Sequence, residues 1–84
     1  MLDNDLIRIH SITHSDWIAL RDHLASNGWT LSKGGGLDHS WATLRQGELL
    51  IEMEYDRWDD GDIAYERTQA ARIEALLPAG ILGA

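Results

Sequence analysis

Eighty-four residues at 9.4 kDa suffice for a single domain, 1–84, because two halves would each be too small to bury a core. Hydrophobic residues at 44% and charged residues at 25%, with four Trp and two Tyr, fit a foldable globular chain, and the absence of Cys excludes disulfides, thiolate metal sites and cysteine nucleophiles. With a net charge of −7, no export-type leader and no run of about 18 apolar residues, the expectation is a cytoplasmic, acidic protein that neither enters a membrane nor binds nucleic acid directly. The preponderance of Arg over Lys, with abundant Ala, Gly and Asp, points to a bacterial coding sequence.

The β-branched run Asp5 to Ile12 predicts a first strand, with Ile7 and Ile9 on one face and Arg8 and His10 on the other. Thr13 followed by Asp16 makes a capping signal, so a helix is expected over 14–27, with Trp17, Leu20 and Leu24 on its apolar stripe and Asn27-Gly28 as its stop. Trp29 to Ser32 can form a short strand, and Lys33-Gly34-Gly35-Gly36 reads as a flexible connector. A hairpin follows, Asp38–Arg45 and Glu48–Asp56 around a Gln46-Gly47 turn, which sets Trp41 opposite Glu52 and His39 opposite Glu54. Alternation places Ala42, Leu44, Leu49, Ile51, Met53 and Tyr55 on its buried face and His39, Trp41, Thr43, Leu50, Glu52 and Glu54 on the other.

Asp59-Asp60-Gly61 reads as a turn before a last strand, Asp62–Glu66. Thr68 then caps a second helix running to Leu77, with Ala70, Ile73, Leu76 and Leu77 buried and Pro78 ending it; 79–84 is expected to fray. The order β-α-β-β-β-β-α gives an α+β fold, a mainly antiparallel sheet of four to five strands with both helices on one face.

The charge is concentrated. Between Glu48 and Glu66 stand Glu48, Glu52, Glu54, Asp56, Asp59, Asp60, Asp62 and Glu66 against Arg57 alone, which accounts for the whole net charge. The remaining acids and bases cancel. Such a region repels phosphates and attracts cations or basic proteins.

Most motifs dissolve when counted. With Gly61 at the sixth position of a calcium loop, Asp56, Asp60 and Asp62 fall on ligand positions, but Trp58 and Arg67 occupy two others, and the preceding segment alternates as a strand. His10 and His14 are four apart but straddle a strand and a helix, so no metal site is assigned. His39 beside Glu54 reads as a cross-strand ion pair, with no nucleophile or oxyanion donor spaced to work with it, and no cofactor is implied. Gly34-Gly35-Gly36 lacks the spacing of a phosphate loop. The run Leu6 to Leu20 resembles the opening strand and helix of the acetyltransferases that use acetyl-CoA; their pyrophosphate loop has no counterpart here, and the activity is not carried over.

What remains is an aromatic beside carboxylates. Trp41, Glu52, Glu54, Asp56, Trp58, Asp59, Asp60 and Asp62 form the candidate partner-binding set, able to pair and stack with a basic protein. The expected function is a non-enzymatic module that docks electrostatically, as an inhibitor, an immunity-type protein or a nucleic-acid mimic would. The alternatives are weak divalent-cation binding at the 56–62 turn and a homodimeric structural protein.

Overall fold

The computed structural model describes residues 5–82. Strand β1 (Leu6–Ile12) leads into helix α1 (His14–Ser26), followed by β2 (Thr30–Gly35), β3 (His39–Gln46), β4 (Leu49–Asp56) and β5 (Asp60–Glu66). A 3-10 turn, Arg67–Gln69, opens the short helix α2 (Ala70–Glu74), and a second 3-10 turn spans Ala79–Leu82. The five strands form one antiparallel sheet in the order β1-β5-β4-β3-β2, the α+β fold and element order anticipated above. The chain leaves one edge of the sheet, crosses its face through α1, enters the opposite edge at β2 and meanders back to close on β1.

Helix α1 forms where the capping signal placed it. Thr13 is its N-cap, with the Asp16 N–H donating to Thr13 Oγ1 at 3.3 Å, and Asn27 closes the far end. Trp17, Leu20 and Leu24 are almost fully buried against Leu44, Ile51, Met53, Ile63 and Ile73, and burial of each Leu stabilises the fold by about 1.5–3 kcal/mol. The Trp17 indole N–H donates to the Asp62 carbonyl at 3.3 Å. Directly beneath it lies Gly61, where a Cβ would run into Trp17 Cδ1.

Strand β1 carries a bulge. Ile9 pairs with Ile63 but Ile12 pairs with Gly61, so one extra residue is accommodated between them, with Ser11 at φ +63°. Strict alternation would turn Ile12 away from the core; the bulge turns it inward, where it is 7% exposed.

Several expectations are corrected. The turn between β3 and β4 is Gly47-Glu48, with Gly47 at φ +61°, so Gln46 pairs with Leu49 and the register moves by two residues. Trp41 therefore faces Glu54 rather than Glu52, and His39 faces Asp56 rather than Glu54. A shift of two preserves the faces, and Ala42, Leu44, Leu49, Ile51 and Met53 are buried as anticipated. Gly34 and Gly35 are not connector but strand, paired with Trp41 and Ser40. Asp60 belongs to β5, paired with Asp56, and the turn before it is 57–59.

The second helix is shorter than expected. No side-chain cap is made at its start; Thr68 Oγ1 donates to Glu66 Oε1 at 3.3 Å instead. Ile73 and Leu77 are buried and Ala70 is half-buried, but Leu76 is exposed because the helix ends at Glu74 and its stripe stops there. Gln69 anchors the segment, accepting from the Leu50 N–H at 3.4 Å and donating to the Glu48 carbonyl at 2.7 Å. Within the segment expected to fray, Ile81 packs against the core and its N–H donates to the Pro78 carbonyl; 83–84 lie outside the described residues.

Candidate functional site

Both helices lie on the sheet face that carries Leu44, Ile51, Ile63 and Tyr65, and no described element covers the other face. Strand alternation decides what that open face presents. From β4 come Glu52, Glu54 and Asp56, and from β5 come Asp60, Asp62 and Glu66, six carboxylates on adjacent strands. Neighbours along a strand on one face are about 6.7 Å apart, and strands are about 4.8 Å apart, so five of the acids are contiguous, while Glu66 is set apart from them on β5 by Ala64. Asp56 stands directly opposite Asp60, and Glu54 directly opposite Asp62. Like charges so placed are destabilising.

The array is only partly offset from within. Arg8 on β1 reaches Asp62 at 3.3 Å, with both side chains partly exposed, and Arg45 sits opposite Leu50 at the other end of the face. Arg57, the single base of the acidic segment, turns away to Asp38 at 2.9 Å. These are surface pairs worth at most about 1 kcal/mol each.

Trp41 rises from β3 beside Glu54, 41% exposed, with one face of its indole against Gly34 on β2. A Cβ at Gly34 would stand 2.9 Å from Trp41 Cζ2, so the ring occupies the place a side chain would take. The indole is thereby fixed on the sheet surface rather than buried within it. A shallow depression of about 220 Å³ is bordered by Trp41, Thr43, Glu52 and Glu54.

Trp58 and Asp59 lie outside the face, in the turn between β4 and β5. Trp58 is 71% exposed, with the Arg57 guanidinium 5.4 Å from its ring centroid. The Asp56 carboxylate accepts from the Trp58 N–H at 2.8 Å, so that acid also shapes the turn. The Arg57 N–H donates to the Asp38 carbonyl, tying this turn to the β2–β3 loop, where Leu37 is fully exposed. Six of the eight anticipated residues thus share one surface, while Trp58 and Asp59 extend it around the sheet end. Glu66 and Arg8 were missed as members of the face; the alternation of β1 and β5 carries that signal once their pairing is known.

Among the described residues, no group of three or more His, Asp or Glu side chains converges in a way that could hold a metal ion. The acids of the 56–62 turn are divided between the Asp56 turn contact, the Arg8 pair of Asp62 and solvent. Among the described residues, the one titratable group clearly displaced from its ordinary range is Tyr65, on the core side. Burial, then its 2.7 Å hydrogen bond to Glu74 Oε2, push its phenol upward. No helix among the described residues is long and apolar enough to cross a membrane. Comparison with known protein families, curated proteins and solved structures finds no match to this chain.

Proposed function

We propose that this protein is a non-enzymatic binding module of the cytoplasm whose open sheet face docks onto a basic protein and occludes it, as an inhibitor, an immunity-type protein or a nucleic-acid mimic does. The observation that carries this reading is the coincidence of Glu52, Glu54, Asp56, Asp60, Asp62 and Glu66 on one uncovered face with an exposed Trp41 whose ring rests over Gly34. The carboxylates steer a cationic surface and pair with its Arg side chains, and the indole offers a flat apolar and cation-binding contact at their flank. Repulsion between the paired acids weakens the free protein and is relieved when a cationic partner arrives.

The test is to map where a hexa-arginine peptide binds the isotopically labelled full chain. The expected shifts concentrate on the amides of β4 and β5 and on the Trp41 indole N–H. Shifts scattered equally over α1 and the sheet would overturn the reading.

A further inference from the structure

A second concavity, of about 330 Å³, lies at the β2 edge, with Arg21, Lys33, Gly34, Gly35, Ser40 and Trp41 in its lining. On a chain of net charge −7 its composition is the reverse of the rest: two cations and no carboxylate among the described residues that line it. Lys33, the chain's one lysine, makes no ion pair among the described residues. Arg21 is engaged by Asp22 through Nε and Nη2, both at 3.0 Å from Oδ1. The remaining nitrogen of its guanidinium is left to donate elsewhere.

The backbone adds donors. The Gly36 N–H donates to the His39 carbonyl, and in an antiparallel pair the inward and outward groups alternate. Gly34 therefore points toward β3, while the N–H groups of Lys33 and Gly35 face the open edge of the sheet. Three successive glycines leave no Cβ to hold a ligand away from them. Gly35 itself, at φ +141°, has no room for a Cβ, which would collide with the His39 carbonyl.

We propose that this edge concavity binds a phosphate group. An ammonium, a guanidinium, outward backbone N–H groups and the Ser40 hydroxyl border one shallow depression, a donor set that suits a tetrahedral dianion with several acceptor oxygens. Of the acidic face only Trp41 borders this site and none of its carboxylates does, so loss of phosphate binding in Lys33→Gln leaves the docking reading untouched.

The experiment titrates the labelled full chain at constant ionic strength with inorganic phosphate and, in a second arm, with phosphoserine, following the amides of Lys33, Gly34 and Gly35 and the Trp41 indole N–H. Saturable shifts are expected, about tenfold weaker in Lys33→Gln and in Arg21→Gln. Tighter binding of phosphoserine would identify the ligand as a phosphorylated molecule, and tighter binding of the free ion as phosphate itself. Should Arg21→Gln fail to fold, Lys33→Gln alone decides. A linear, unsaturating response, an equal response to chloride, or undiminished binding by Lys33→Gln would overturn the proposal.

Discussion

Ser11 shows how a single residue holds strain for the sake of packing. Its positive φ costs a non-glycine residue about 1–2 kcal/mol, and in return the bulge turns Ile12 into the core. Ser11→Gly is therefore expected to stabilise the fold by about 0.5–1 kcal/mol in urea unfolding, and a loss of stability would contradict this account of the bulge. Gly61 works in the opposite sense. Any side chain there meets the Trp17 ring, so Gly61→Ala should cost about 1–3 kcal/mol by the same measurement. Tyr65 links stability to pH. Its folded-state pKa is raised above the unfolded value of about 10, so its contribution is complete below pH 10 and is lost as the pH climbs toward the folded value. Stability should fall above pH 10, and Tyr65→Phe should flatten that alkaline slope; an unchanged slope would show that other groups set it.

At the scale of elements, patterns of local chemistry were legible and long-range pairing was not. The Thr13 cap, the α1 stripe and the two faces of the β3–β4 hairpin could be read directly, because each depends on residues within a few positions of one another. Register could not be read in the same way, since the faces depend only on parity while the pairing depends on which two residues form the turn. Gln46 still paired in the ladder and Gly47-Glu48 turned, moving every partner by two without moving any side chain across the sheet. The β1 bulge was illegible for a related reason: it depends on the partner strand, fifty residues away in sequence. Gly34 was misread because its lack of a side chain suggested flexibility, when in the sheet that gap is filled by the Trp41 indole. Gly34→Ala should push the ring off the sheet, seen as a red shift of Trp fluorescence and greater quenching by acrylamide; an unaltered spectrum would mean that the ring rests on something else.

For the whole molecule, the decisive step is from a charged stretch of sequence to a charged surface. Composition located the acids in one segment, but only the sheet order shows β4 and β5 side by side and their outward residues on one open face. It also brings Arg8, distant in sequence, onto that face beside Asp62, and that partial neutralisation was not visible in the segment's own charge count. Salt should then act with opposite sign on two properties. The Debye length falls from about 10 Å at 0.1 M salt to about 3 Å at 1 M, shorter than the spacing between neighbouring carboxylates, so added salt should raise the melting temperature of the free protein while weakening any basic complex.

The most direct measurement compares hexa-arginine affinity across a salt series for three proteins: the unaltered chain, a face variant carrying Glu52→Gln, Glu54→Gln and Asp56→Asn, and a control with the same charge change in Asp5→Asn, Asp16→Asn and Asp22→Asn. Geometry, rather than net charge, predicts that the face variant loses most of the affinity and most of its salt dependence while the control keeps both. Equal losses in the two variants would contradict it, because binding would then follow total charge and owe nothing to the open face.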